Sequence, residues 1–133
     1  MEINVYRKKQ FASILVSFGI VVGYEKEKLI ELIKNLNIEI NNCKNASEKE
    51  YILKKYNTVI SQISIYPIKN GETIKLTTQS NQTNIFAINF NFYDTKIYPF
   101  AVSNELTIRK NTNILLKQSS FFSTVKLSIN EIE

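Results

Sequence analysis

Apolar residues recur at intervals of about 3.6 residues between Glu25 and Ile63, and they alternate with polar residues over much of the chain after Ile63. The first pattern predicts amphipathic helices, because it places apolar side chains on one helical face. The second pattern predicts strands, because successive side chains of a strand point to opposite faces of the sheet. The chain is therefore predicted to be mainly helical over residues 1–63 and rich in strands over residues 64–133.

Two helices are predicted in the first half. The first runs from Glu25 to about Leu36 and is followed by the polar segment 41–45. The residues expected on its inner face are Leu29, Ile30, Leu32, Ile33 and Leu36. The second begins at Ser47, because this side chain and that of Glu50 can satisfy exposed backbone donors as a capping box. The apolar stripe of the second helix consists of Ile52, Tyr56, Val59, Ile60 and Ile63. Joined by a polar loop, the two helices are expected to form an antiparallel pair.

Turn residues at short intervals divide the second half into strands. Asn70-Gly71 is the strongest turn signal and predicts a tight hairpin between strands near residues 64–68 and 73–78. The next strand, 84–93, places Phe86, Ile88, Phe90 and Phe92 on one face and Ala87, Asn89, Asn91 and Tyr93 on the other. Further strands are predicted at residues 97–102, 105–109, 113–117 and 123–129.

The segment Phe11–Tyr24 carries no charge and fits two secondary structures. As a strand it places Phe18 and Ile20 on one face, and Gly19 and Gly23 on the other, where a helix can pack closely. As a helix it also presents an apolar stripe. Its β-branched residues and its two glycines favour the strand.

Together these patterns predict an α+β fold in a single domain over residues 1–133. An N-terminal apolar strand or helix and a helical pair are followed by an antiparallel β-sheet or a small sandwich. A chain of 133 residues buries enough surface to form a core without support from a metal ion or a disulfide. Cys43 is the only cysteine and therefore has no partner for an internal bridge.

The composition argues against catalysis. The chain contains no histidine and no tryptophan, and Asp94 is its only aspartate. Without an imidazole base, serine and cysteine nucleophiles lack their usual activating partner. The sequence has no nucleotide-binding or calcium-binding motif, and it has no cluster of Cys or His for a transition metal. We therefore expect no enzymatic activity, no cofactor and no metal ion.

A role in protein binding or assembly agrees best with this composition. Edge strands of a sheet pair with other chains unless they are protected, and Pro67 and Pro99 are the only prolines available for protection. Phe121 and Phe122 are adjacent in a predicted strand and point to opposite faces, so one ring faces a helix or a partner. The expected protein is a non-catalytic subunit of a larger complex of the secretion, phage or inhibitor type. It binds other subunits, or a second copy of itself through a sheet edge.

Nucleic-acid binding is the alternative function. The net charge is +5, from 17 basic and 12 acidic residues that are spread over the chain. Tyr93, Lys96 and Tyr98 are expected to be exposed contact residues for either kind of partner. On the strand face of residues 84–98 they would stack bases and contact a phosphate, together with Arg109 and Lys110.

The expected location is cytoplasmic. Four charged residues, 25–28, follow the apolar segment at the place where an export signal carries small residues for cleavage. The 14 residues of Phe11–Tyr24 are also fewer than the roughly 20 that a helix needs to cross a bilayer. Membrane association through Phe11–Tyr24 is the alternative.

Overall fold

The computed structural model describes residues 1–10, 18–89, 101–121 and 124–133. The predicted α+β class is confirmed, because two helices are combined with two sheets whose strands are mostly antiparallel. In chain order the elements are β1 (Glu2–Arg7), β2 (Phe18–Val22), α1 (Lys26–Asn42), α2 (Ala46–Ile60), β3 (Ile65–Ile68), β4 (Thr73–Thr77), β5 (Thr83–Asn89), β6 (Ala101–Val102), β7 (Leu106–Ile108), β8 (Thr112–Phe121) and β9 (Thr124–Ile132).

The strands form two sheets, here called sheet A and sheet B. Sheet A has the strand order β4-β1-β8-β9, and sheet B has the order β3-β2-β5-β6, with β7 also paired to β5. β1 is an inner strand of sheet A, antiparallel to β4 and parallel to β8. In sheet B, β2 lies between β3 and β5 and is antiparallel to both.

The sheets and the helices form three layers, with sheet B in the middle. One apolar core lies between the two sheets and includes Ile3, Ile20, Ile85 and Ile114. A second core lies between sheet B and the helices and contains Val21, Leu29, Ile33, Leu36, Ile52, Tyr56, Ile60, Ile63, Phe86 and Ile88. Sheet B is therefore buried on both faces, which explains why β2 and β5 are almost continuously apolar.

The strand interpretation of the apolar segment is confirmed for β2, the part of it that the structure describes as a strand. Phe18 and Ile20 face sheet A, whereas Val21 faces the helices. Gly19 also lies on the helix side, where a Cβ atom would stand 2.8 Å from Ile65 Cγ2. Residues 11–17 lie outside the described part of the chain. Neither helix in the described ranges is long and apolar enough to span a membrane.

Both predicted helices are present, but the start of the second differs from the prediction. α2 is capped by Asn45 and not by Ser47, because the Asn45 side chain accepts a hydrogen bond from the Glu48 backbone N–H at 2.8 Å. The Glu48 carboxylate in turn accepts a hydrogen bond from the Lys44 backbone N–H at 3.2 Å. The capping signature is therefore real but lies two residues earlier in the chain.

The inward faces of the helices largely agree with the prediction. Leu29, Ile33 and Leu36 of α1 are buried, and α1 continues beyond the predicted end to Asn42. Of the predicted stripe of α2, Val59 is the exception, because 43% of its surface is exposed.

The turn at Asn70-Gly71 forms, but the predicted hairpin is wrong. The Glu72 backbone N–H donates to the Lys69 carbonyl at 2.9 Å, and Gly71 has a φ of +76°, which favours glycine. The flanking strands nevertheless belong to different sheets, since β3 pairs with β2 and β4 pairs with β1. A β3–β4 pair would leave one edge of β1 and one edge of β2 without backbone partners.

β1 adds to the predicted elements and ends at a buried arginine. Arg7 is only 3% exposed, and its guanidinium lies 3.8 Å from the centre of the Phe18 ring. It donates a hydrogen bond to the Ile68 carbonyl at 2.7 Å. Arg7 thus connects β1 of sheet A to β2 and β3 of sheet B. Burial lowers the pKa of this guanidinium from its usual value.

Candidate functional site

One side of the sandwich is closed, where β9 lies beside β5, β6 and the connection between β6 and β7. Asn104, between β6 and β7, donates to the Ile129 carbonyl at 2.8 Å and accepts from the Ile129 N–H at 3.0 Å. Its amide group takes the place that a neighbouring strand would occupy. Ser103 binds Ala87 through its backbone N–H at 2.8 Å and its hydroxyl at 2.7 Å. The edge of each sheet is therefore interrupted on this side.

On the opposite side, β3 forms the edge of sheet B. Val22 N–H donates to the Ser64 carbonyl at 3.2 Å, so Ser64 faces β2 and the alternate residues Ile65 and Pro67 direct their backbone groups outward. Proline has no N–H, so Ile65 is the one outward donor within β3. Pro67 therefore protects this edge, as prolines of edge strands commonly do.

β4 forms the edge of sheet A on the same side and lacks such protection. Met1 and Thr78 exchange hydrogen bonds in both directions, and the Arg7 N–H donates to the Glu72 carbonyl. Because the ladder alternates, the backbone groups of Thr73, Lys75 and Thr77 point away from β1. None of these groups has a hydrogen-bond partner among residues 1–10, 18–89, 101–121 and 124–133. We call this row of donors and acceptors the β4 edge.

A groove of about 400 Å³ runs between the β4 edge and β3. It is lined by Tyr66, Pro67, Ile74, Lys75, Leu76 and Thr77. Tyr66 is 41% exposed and lies on the strand face of Ile68, which contributes to the core between the sheets. The groove is thus the open margin of that core, with an aromatic ring on one wall and free backbone groups on the other.

The outer face of sheet A, the face turned away from sheet B, carries several charged side chains. Lys75 lies on this face next to Glu2, and their charged atoms are 3.0 Å apart. Lys117 and Lys126 are exposed on the same face, farther from the β4 edge. A ligand on the β4 edge therefore meets one ammonium group directly, that of Lys75.

A larger depression, of about 640 Å³, lies on α2. All its lining residues belong to this one helix and its C-terminal end: Ala46, Lys49, Glu50, Leu53, Lys54, Asn57, Thr58 and Ser61. It lies between the long side chains of a solvent-facing helix and offers no row of unpaired backbone groups. The β4 edge has more specific recognition chemistry despite the smaller volume of its groove.

Of the predicted contact residues, the structure describes Arg109, Lys110 and the backbone of Phe121, and Phe121 lies apart from the other two. Arg109 and Lys110 are exposed in the connection between β7 and β8, where Arg109 Nε donates to Gln82 Oε1 at 3.0 Å. Phe121 ends β8, so this strand, about 30 Å long, separates it from Lys110. The predictions for Tyr93, Lys96, Tyr98 and Phe122 fall outside the described residues, and so does the orientation of the Phe121 ring.

Residues 84–89 of the predicted nucleic-acid face serve the fold. Ala87 and Asn89 were expected on a free face but are buried against sheet A. The Asn89 side-chain oxygen accepts a hydrogen bond from the Ala101 N–H at 2.7 Å. Asn84 donates to the Tyr24 carbonyl at 2.5 Å and to the Glu105 carboxylate at 2.8 Å. Ala87 and Asn89 are therefore not accessible to a partner, while residues 90–98 of the predicted face lie outside the described part of the chain.

The perturbed carboxylate of the helical layer lies away from the groove. Burial and a hydrogen bond with Glu39 raise the pKa of Tyr56 to about 12. Hydrogen bonds with Tyr56 and Lys55 lower the pKa of Glu39 from its usual value. The three side chains connect α2 to α1, since Lys55 Nζ is 3.1 Å from Glu39 Oε1. In the described ranges, no three Cys, Asp or Glu side chains come together at a possible metal site.

Polar and apolar side chains alternate over residues 73–77, and this pattern predicts a strand. Only the strand order shows that this strand lies at the edge of its sheet. The chain matches no known protein family, and no curated protein is significantly similar to it.

Proposed function

We propose that this protein is a non-catalytic binding subunit that recognises a partner protein by accepting an extended segment of it on the β4 edge. The observation that carries the proposal is the contrast between the edges. Pro67 protects β3, and Asn104 occupies part of the β9 edge, whereas the outward backbone groups of Thr73, Lys75 and Thr77 have no partner in the part of the chain that the structure describes. Main-chain hydrogen bonds at such an edge supply affinity, and side chains in the neighbouring groove supply selectivity.

The composition supports a role without catalysis, since the chain has no histidine. A subunit of a secretion machine, a phage particle or an inhibitor complex is the proposed setting. A cytoplasmic location belongs to the same proposal, because the charged residues 25–28 follow the apolar segment where an export signal would have a cleavage site.

The test is a comparison of two substitutions at the centre of the β4 edge. Lys75→Pro removes the outward N–H without breaking a bond to β1, as Pro67 does on β3. Lys75→Thr removes the same charge but keeps the N–H, and threonine suits a strand. Far-UV circular dichroism and thermal unfolding establish first that both variants are folded.

Each variant is then used to purify partners from the native cells, in lysates split into nuclease-treated and untreated halves. We expect proteins in stoichiometric amounts with the wild type and Lys75→Thr, independent of nuclease, and their loss with Lys75→Pro. Partners that bind all three proteins equally would place recognition elsewhere on the surface. Material that disappears after nuclease treatment would favour nucleic-acid binding instead.

A further inference from the structure

The geometry of the β4 edge also restricts the chemistry of what binds there. A strand added to β4 forms its hydrogen bonds with Thr73, Lys75 and Thr77. The side chains of that strand alternate between two environments. Those opposite the three β4 residues lie on the outer face of sheet A, and those between them face the groove beside Tyr66 and Ile74.

A second copy of this chain fits the edge poorly. An antiparallel β4–β4 pair that uses all three outward residues places each Lys75 directly opposite the other, with Thr73 opposite Thr77. Like charges in that position destabilise a strand pair. Shifting the pair by two residues separates the lysines but leaves one of the three outward residues of each copy without a partner. The sequence of β4 therefore disfavours its own pairing.

An acidic residue fits the same position well. The Lys75 ammonium already lies 3.0 Å from the Glu2 carboxylate, but this ion pair is exposed and therefore costs little to open, so the ammonium can contact a carboxylate on an added strand instead. Tyr66, whose ring is exposed on the opposite wall of the groove, favours an apolar side chain at the neighbouring position that faces the groove.

We propose that the occupant of the β4 edge is an extended segment of a different protein, with a carboxylate opposite Lys75 and apolar residues facing Tyr66. This inference rests on the proposed function, because it assumes that the edge is used for pairing. It adds that the added strand carries a negative charge opposite Lys75 and that this strand comes from a different protein. Edge pairing alone specifies neither.

The probes are two short fluorescent peptides in which valine alternates with threonine. One has glutamate at the central outward position, and the other has lysine there. Binding is measured by fluorescence anisotropy with the full chain, and hydrogen exchange of the Thr73, Lys75 and Thr77 amides reports where each peptide binds. Sedimentation equilibrium of the protein alone reports self-association.

We expect the glutamate peptide to bind about 5-fold to 10-fold more tightly than the lysine peptide, which follows from typical cross-strand charge pairs. Lys75→Glu should reverse the preference. Lys126→Glu makes the same charge change on β9, away from the β4 edge, and should preserve it. Neither substitution alters a buried residue, so folding is not expected to limit the comparison.

The remaining outcomes separate the two proposals. Equal binding of both peptides with slowed exchange at β4 would overturn the carboxylate preference and leave edge pairing in place. A dimer that Lys75→Pro dissociates would overturn the assignment to a different protein, although the edge would still be used. The absence of peptide binding, of a dimer and of any change in exchange at β4 would overturn both proposals.

Discussion

The N-cap of α2 gives a quantitative test of the local structure, because the sequence pattern assigns the cap to Ser47 and the structure assigns it to Asn45. Asn45 has the extended backbone typical of a cap, with φ −154° and ψ 171°, and its side chain accepts the Glu48 N–H at 2.8 Å. Replacing such a cap by alanine costs about 1 kcal/mol. Ser47 lies inside the first turn of the helix, where alanine is preferred over serine by up to about 0.5 kcal/mol.

We therefore expect Asn45→Ala to lower the free energy of unfolding by about 1 kcal/mol, and Ser47→Ala to raise it by a few tenths. With about 2.1 cal/mol/K of unfolding entropy per residue over 133 residues, the first change lowers Tm by about 3 to 4 °C. Urea unfolding followed by circular dichroism measures both variants, and Asn45→Asp serves as the control that keeps the cap. A larger loss for Ser47→Ala than for Asn45→Ala would refute the assignment of the helix start.

Two further predictions concern packing and titration. Gly19→Ala should destabilise the protein by about 1 to 3 kcal/mol in urea unfolding, because the new methyl group meets Ile65 Cγ2 at 2.8 Å. Ile65→Ala removes the methyl group that the Gly19→Ala side chain would meet, so the double variant should lose less unfolding free energy than the two single variants together. A loss equal to their sum would contradict this contact. The pKa of Tyr56 in the folded protein is about 12 and exceeds the ordinary value of about 10. The protonated hydroxyl therefore stabilises the fold below pH 10, and this contribution is lost as the pH rises toward 12. Tyr56→Phe should reduce the fall in unfolding free energy between these pH values, and an unchanged slope would assign the fall to other groups.

The sequence was most informative where a local pattern determines the structure. The spacing of Leu29, Ile33 and Leu36 correctly identified the inner face of α1. The strand predicted at residues 123–129 is present as part of β9. The strand interpretation of β2 was also correct, because a residue without a side chain at Gly19 fits the contact with the helical side of sheet B.

Pairing between strands depends on residues far apart in the sequence and was not predictable in the same way. Asn70-Gly71 correctly marked a turn, but a turn signal contains no information on which sheet receives the next strand. The strand pattern of β1 is short, and it ends with Arg7 at a buried position where charged residues are rare.

The sequence predicted the kind of site, a sheet edge, but not the residues that form it. The sequence predicts binding through a sheet edge, and the choice of β4 as the proposed edge follows from the strand order and from the Asn104–Ile129 hydrogen bonds. The residues selected individually were less informative. Arg109 and Lys110 lie in the connection between β7 and β8 and not on β4.

The parallel pairing of β1 with β8 has a consequence for how the chain folds. Asn4 and Asn113, whose side chains are hydrogen-bonded at 3.0 Å, are separated by 109 positions. Contacts of such long sequence separation require closure of a large loop before they contribute energy, and they are typical of domains that fold in milliseconds to seconds. A shortened version of the protein that omits β1 would leave Ile114 and Leu116 of β8 without their neighbours, and one that omits β8 would leave Ile3 and Val5 of β1 without theirs. Refolding studies and fragment designs must therefore retain both strands for sheet A to form.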